Sequence, residues 1–394
     1  MRPRCFPAFL ATRPGFTGCM RKSIIGVPRE IKAQEGRVAL TPSAAWQFIR
    51  NGHTVLVQQD AGNGSGFPTE EYRSAGCEVV ADPAEIFARA EIIVKVKEPQ
   101  PAEVALLREG QMLFTYLHLA ASKELTAGLL ASKCTAIAYE TVEVNHRLPL
   151  LEPMSEIAGC MSALVGAYHL QRHTGGRGVL MSGVPGVLPG KVVVIGGGTA
   201  GVNAARVATG MGADVTILEV DVERMRYLDV TMHTAHTLYS SQASLMDLLP
   251  RVDLVIGAVL VPGARAPKLI TRGMLQKMPA GSVLVDIAVD QGGCAETTRP
   301  TTHSAPTFVE EGVIHYCVAN MPGAYARTAT QALTNVTHRY LGLLADHGLA
   351  EACRLKPELI AGVNCHGGKL TCRPVAEAHG LEFSALGEEL PVCT

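Results

Sequence analysis

An apolar run, Val192 to Ile195, passes directly into Gly196-Gly197-Gly198-Thr199-Ala200-Gly201 and then into NAARVATGMG, a helix-forming stretch. The glycine spacing alone is a weak sign. A strand in front and a helix behind are the context in which G-x-G-x-x-G binds a dinucleotide. In that context Gly196 makes the tight turn, Gly198 lets backbone approach a pyrophosphate, and Gly201 lets the helix pack on its strand. The helix start adds free N–H groups and the positive end of a dipole. Glu219 closes the next apolar run, DVTILE, 23 residues after Gly196. A carboxylate there accepts hydrogen bonds from both ribose hydroxyls and repels a 2′-phosphate, which favours NAD over NADP. A glycine-rich turn without a ligand is the competing reading, and the flanking strand and helix weigh against it.

The same alternation of strand and helix runs along the chain. IIGV (24–27), TVLVQ (54–58), IIVKV (92–96), MLFTY (112–116) and TAIAY (135–139) predict one series of strands. VVVIG (192–196), DVTILE (214–219), VDLVIGAV (252–259), SVLVDIA (282–288) and VIHYCVA (313–319) predict a second. After Thr41 comes a helix with that threonine as N-cap, Pro42 in first position, Trp46 and Ile49 on its apolar face, and Gly52 as its stop. Asp82-Pro83-Ala84-Glu85 has the form of a capping box. Ile157, Met161, Leu164, Val165 and Tyr168 recur at helical spacing in LEPMSEIAGCMSALVGAYHLQRH, and GRGVLMSGVPGVLPG reads as a hairpin or loop. A helix beyond Arg327 returns to the first unit and closes it. Repeated β-then-α order implies parallel sheets covered on both faces. The fold class is therefore α/β, with two Rossmann-like, doubly wound parallel-sheet domains separated by a cleft. One is expected over residues 23–150 plus 327–394, and the nucleotide-binding one over 151–326.

Composition narrows the function. The chain has 394 residues, 47% hydrophobic and 18% charged, enough for two or three domains with a large core. A net charge of −1 gives no electrostatic case for nucleic acid or an anionic membrane surface. No uncharged run reaches the ~18 residues that suggest a membrane span. Eleven cysteines, an odd number with no C-x-x-C pair, read as reduced thiols in a cytosol-like compartment, and no metal site is expected. Residues 1–22 carry arginine, phenylalanine and threonine but no acid, which fits either an organellar targeting segment or a start at Met20.

In open α/β sheets, ligands bind beyond the carboxyl ends of the strands. Four polar residues fall there: Arg37 after IIGV, Lys97 at the end of IIVKVK, His118 after MLFTY, and Asp290 after SVLVDIA. Singly, the cations read as solvated charges, Asp290 as a turn former and His118 as a core histidine. Jointly they make a cation pair for a carboxylate and an acid/base pair beside a nicotinamide. The apolar context of His118, LFTYLHLAAS, predicts a ring shielded from bulk water.

GVPREIKAQEGRVALTP, IIVKVKEPQ, LFTYLHLAAS, IAYETVE, LPLLEPMSEIAG, GGRGVLMSGVPGV, VVIGGGTAGVNAA, LVIGAVLVPGARAPKLI, VDIAVDQGGC and YCVANMPGAYARTAT resemble the signature segments of bacterial-type alanine dehydrogenases. The resemblance covers most of residues 24 to 383. Related families are the nucleotide-binding subunit of proton-translocating transhydrogenase and the lysine-forming saccharopine dehydrogenases; LHLAAS and VDQGGC favour alanine dehydrogenase among them. A non-catalytic NAD-binding regulator is a further alternative, though all four polar groups are present. The resemblance implies reversible deamination of L-alanine to pyruvate and ammonia with NAD, in a cytoplasmic homohexamer. It assigns Arg37 and Lys97 to substrate binding and His118 and Asp290 to catalysis. For the cofactor it assigns Ser155, Gly196, Gly198, Thr199, Gly201, Glu219, Arg224, Ser240, Val259, Leu260, Ile287, Ala288, Val289, Asp290, Arg299, Val318, Ala319, Asn320 and Met321. Two departures stand out: Glu219 replaces the more usual aspartate, and MHTAHTLYSS (232–241) is one residue shorter than the family's segment and lacks its glycine and arginine.

Overall fold

The computed structural model describes residues 21–259 and 266–389; residues 1–20, which hold most of the N-terminal extension, and Leu260 lie outside them. Along the chain the strands of the first series are β1 (Ile24–Val27), β2 (Thr54–Gln58), β3 (Glu78–Val80), β4 (Ile92–Val94), β5 (Met112–Thr115) and β6 (Thr135–Ala138). The second comprises β7 (Lys191–Ile195), β8 (Asp214–Glu219), β9 (Ala235–Tyr239), β10 (Leu254–Gly257), β11 (Val283–Asp286), β12 (Thr307–Glu310) and β13 (Val313–Tyr316). The chain then adds β14 (Val363–His366) and β15 (Lys369–Leu370) to the first sheet.

The two sheets share one topology. The first runs β15-β14-β6-β5-β4-β1-β2-β3 and the second β12-β13-β11-β10-β7-β8-β9, each mostly parallel with antiparallel strands at one side. Strand order therefore reverses between β1 and β4 in one sheet and between β7 and β10 in the other. Those are the switch points where connecting loops part and leave a crevice. Both sheets are buried on their two faces, so their strands are continuous apolar runs: Ile92, Ile93 and Val94 are all fully buried. Each such side chain stabilises the fold by about 1.5–3 kcal/mol.

The helix Ala326–Leu355 closes the first core. Leu333, Tyr340, Leu341 and Leu344 pack with Phe48, Phe114 and Tyr139, and the Thr330 hydroxyl accepts the Val38 N–H at 3.0 Å. Gly348, at φ +75°, breaks this helix near its end. The helix Glu152–His169 crosses to the second core, where Gly159 packs so tightly on the Ala200 carbonyl that an added Cβ would lie 2.1 Å from it.

Several local expectations need correction. Thr41 and Pro42 open the helix Pro42–Arg50 as expected, but Ala44, Ala45 and Phe48 form its buried face and Trp46 is exposed, under the Arg50 guanidinium. Asp82 caps Ala84 at 2.9 Å, while Glu85 turns to Arg89 instead of completing a capping box. Leu164 and Tyr168 face outward from the long helix, because its small residues Ala158, Gly159, Ser162 and Ala163 make the close contact. Strands β3, β9, β12, β14 and β15 were not expected; they are short or at sheet edges, where half-exposed residues blur the pattern. Among the described residues no helix is long and apolar enough to cross a membrane, no group of His, Cys, Asp or Glu could hold a metal, and eight cysteines are free thiols.

Candidate active site

At the end of β7, Gly196 adopts φ +99°, and a Cβ there would meet the Ala258 carbonyl at 2.8 Å. A Cβ on Gly201 would lie 1.8 Å from the Gly196 carbonyl, so only hydrogen fits between turn and helix. Around Gly198 the reverse holds: nothing stands within 4 Å of an added Cβ. The helix Thr199–Gly210 begins at this open edge and turns its first N–H groups toward it. A bare edge lined by unpaired amides suits a pyrophosphate.

Of the remaining nucleotide candidates, Glu219, Arg224 and Val259 lie against this turn. Glu219 Oε2 accepts the Gly197 N–H at 2.7 Å, and Oε1 accepts those of Val220 at 2.7 Å and Asp221 at 3.1 Å. Its carboxylate thus ties the end of β8 to the glycine turn, and has about one acceptor position to spare. Arg224 Nε donates to the Gly197 carbonyl at 2.7 Å. Despite the shortened segment, the Ser240 N–H donates to the Glu219 carbonyl at 2.8 Å. Val259 follows β10 beside Gly196, and Ser155 lies in the first turn of the helix that Gly159 brings against Ala200. Arg299 stacks on the Phe308 ring at 4.1 Å. The turn Ile287–Gln291, holding Ala288, Val289 and Asp290, follows β11; Val318, Ala319, Asn320 and Met321 follow β13.

Arg37 is not a solvated charge but a buried one. Its Nε and Nη2 bond the two oxygens of Glu35 at 2.7 and 2.5 Å, Nη2 also donates to Asn320 Oδ1 at 2.6 Å, and Nη1 reaches Met154 Sδ at 3.1 Å. Asn320 Nδ2 donates back to Glu35 at 3.0 Å, so a residue of the second unit closes the ring. Burial alone would raise the Glu35 carboxyl, but the bonds and charge of Arg37 win and hold it at about 2. The Nε–H and both Nη2 protons are thereby spent, and only Nη1, one of whose N–H groups reaches Met154, has a donor left for a substrate.

Lys97 is also buried. Burial lowers its pKa and the charge of Arg37 lowers it further, while Glu98 and Asp290 pull it back up. Lys97, on the loop after β4, thus feels Arg37 from the loop after β1 and Asp290 from the loop after β11. His118 differs from expectation: its side chain is 45% exposed, because the loop leaves the strand in a left-handed turn, φ 50° and ψ 40°, that lifts the ring out of the apolar core. The ring stacks on Tyr116, 5.9 Å away and nearly parallel, and the Tyr116 phenol in turn feels the charges of Arg37 and Glu140.

A recurring device, which sequence reasoning missed, holds these loops. Each is gathered by a carboxylate from a neighbouring segment. Glu30 Oε1 accepts the N–H groups of Val96 at 2.6 Å and Lys97 at 3.4 Å, while its other oxygen pairs with buried Lys95 at 3.0 Å; Glu103 is the second partner of Lys95, at 2.7 Å. Glu140 accepts the N–H groups of Leu117 and His118. Asp286, fully buried, accepts the N–H groups of Ala288 and Cys294 and the Thr298 hydroxyl, which sets the Asp290 turn. The only sequence signal for any of them was the position of Glu30 and Glu35 beside Arg37. Chemically, two cations, an imidazole and a carboxylate stand on loops that follow strands of the two sheets.

Comparison with known proteins finds relatives over most of the chain. Residues 26–158 match the family description "Alanine dehydrogenase/PNT, N-terminal domain", and residues 162–373 match "Alanine dehydrogenase/PNT, C-terminal domain". Alanine dehydrogenase of Halomonas elongata is 55% identical over 361 residues, 91% of this chain and 97% of its own; that of Bacillus subtilis is 52% identical over 362 residues, 91% and 96%. A solved L-alanine dehydrogenase superposes with a TM-score of 0.87 at 50% identity, covering 91% of this chain and 99% of that one.

Proposed function

The chain belongs to the alanine dehydrogenase/PNT family, and from that premise we propose that it catalyses the reversible oxidative deamination of L-alanine to pyruvate and ammonia. The family implies a nicotinamide cofactor; Glu219 at the end of β8 supports NAD over NADP, since a second negative charge beside it would be repelled. What carries the reading is that buried Lys97, on the loop after β4, stands within electrostatic reach of both Arg37, after β1, and Asp290, after β11.

Nη1 of Arg37, the one guanidinium nitrogen with a donor to spare, binds the substrate carboxylate, and Lys97 contacts that carboxylate or the carbonyl oxygen of pyruvate. Glu35 and Asn320 keep the fork from rotating. A nicotinamide cofactor held at the glycine turn would supply the acceptor for the hydride leaving the substrate Cα. His118 takes the proton released at the reacting nitrogen or oxygen, and returns it in the reverse direction. Asp290 orients the amine and the water that hydrolyses the imine. Positioning on strand ends accounts for much of the barrier lowering, because the reacting groups are held before the step begins.

The assembly proposed is a homohexamer in the cytoplasm. Leu180, Val184, Val187 and Leu188, all exposed in one loop, are the kind of apolar surface that contact with further copies covers. NADH formation by the purified protein with alanine, glycine, serine or lysine, and with NADP in place of NAD, tests the reading. Alanine with NAD is the pair expected to turn over fastest; no alanine-dependent NADH would overturn it.

A further inference from the structure

Glu140 stands where β6 ends, yet both of its carboxylate oxygens are spent on another strand's loop. Oε1 accepts the His118 N–H at 2.6 Å and the Leu117 N–H at 3.1 Å; Oε2 lies 3.2 Å from the same Leu117 N–H. His118 needs this support. Its φ of 50° is a left-handed conformation that a β-carbon disfavours, and such residues persist only where the surroundings over-determine them. The same Oε1 is 3.8 Å from Nδ1 of the His118 ring, an ion-pair separation that a small rotation of the imidazole shortens to a hydrogen bond. The Glu140 side chain is 14% exposed against 45% for His118, so the carboxylate lies on the protein side of the ring. Tyr116 fixes one ring face, its own hydroxyl anchored on the Leu150 carbonyl at 2.6 Å.

We infer that Glu140 is the positioning residue of His118: it holds the strained backbone that lifts the ring into the crevice and, by facing Nδ1, keeps the proton there so that Nε2 is the atom presented to substrate. A carboxylate beside one imidazole nitrogen fixes the tautomer and leaves the other nitrogen as acceptor. When Nε2 takes the substrate proton, the resulting imidazolium lies against a negative charge. Glu140 itself touches no reacting atom.

This rests on the role proposed for His118, and the experiment separates the two. Wild type, Glu140→Gln and Glu140→Asp are compared in alanine deamination, in NADH binding by fluorescence, in melting temperature, and in the ¹⁵N resonances of the His118 ring, assigned by their loss in His118→Asn. The wild-type ring should carry its proton on Nδ1. Glu140→Gln should lower kcat by about tenfold or more and shift the ring toward the Nε2–H tautomer, with KM for alanine and the NADH Kd within about twofold. Glu140→Asp, which keeps the charge, should recover most of the lost kcat. A wild-type ring protonated on Nε2 overturns the inference even if Glu140→Gln does not fold. So does a folded Glu140→Gln enzyme with unchanged kcat and tautomer. A wild-type protein inactive on alanine would instead remove the proposed function.

Discussion

Glu35→Gln is the perturbation whose magnitude the structure defines best. The Glu35 carboxyl falls from an ordinary 4.5 to about 2 in the folded chain, because the Arg37 bonds outweigh the effect of burial. The side chain is fully buried, so solvent does not screen the pair. At about 1.36 kcal/mol per decade, the gap corresponds to about 3 kcal/mol of stability. A carboxyl depressed in the native state contributes fully above its unfolded value, near 4.5, and loses that contribution as pH falls toward 2. Glutamine removes the titration and leaves Arg37 buried without its counter-charge. Below about pH 2, protonated Glu35 leaves it in the same condition. Wild type and variant should therefore differ by about 3 kcal/mol at pH 7 and converge in acid. Denaturant unfolding of both proteins at pH 7, 4 and 3 measures the difference. A gap that stays constant across that range would mean that Arg37 holds Glu35 by shape and not by charge.

Three further outcomes are expected. His118→Ala should keep NADH binding but lose about 10²- to 10⁴-fold in alanine turnover, the usual worth of acid/base help; ordinary steady-state rates would return the ring to a packing role. Replacing Glu219 with alanine should narrow the NAD/NADP preference measured by kcat/KM, and an unchanged ratio would mean that the ribose is held elsewhere. Gly201→Ala should abolish NADH binding and lower the melting temperature, since its Cβ would fall 1.8 Å from the Gly196 carbonyl; tight NADH binding by this variant would show that the turn can move away from the helix.

The sequence made legible whatever depends on local pattern. Apolar runs located ten of the strands because buried parallel strands have no polar face to confuse the reading. The glycine turn was legible for the opposite reason: Gly196 and Gly201 are steric necessities that leave a fixed spacing. Trp46 and Leu164 were misread because a hydrophobic residue at the right period can face outward, and small residues such as Ala158 and Gly159 carry the close contact instead. His118 was placed on the right loop with the wrong environment, since neighbouring leucines in sequence say nothing about a left-handed backbone that turns one ring away from them.

What sequence pattern could not supply was the set of acids that hold the site. Glu30, Glu140 and Asp286 act on segments 66, 22 and 2 to 12 residues away, and only the long-range pairings are truly silent in the sequence. The physical reason for the device is common to all three. Where the chain leaves a parallel strand for its loop, N–H groups are left without a next-strand partner, and a buried amide must find an acceptor. A carboxylate answers two of them at once and more strongly than a carbonyl does. It also puts negative charge under the loops that carry Lys97 and His118, so the group that satisfies the backbone also faces the cation or the ring that the loop presents. The presentation of the site's side chains and the termination of their strands are one structural problem, solved after β4, β5 and β11 by an acid.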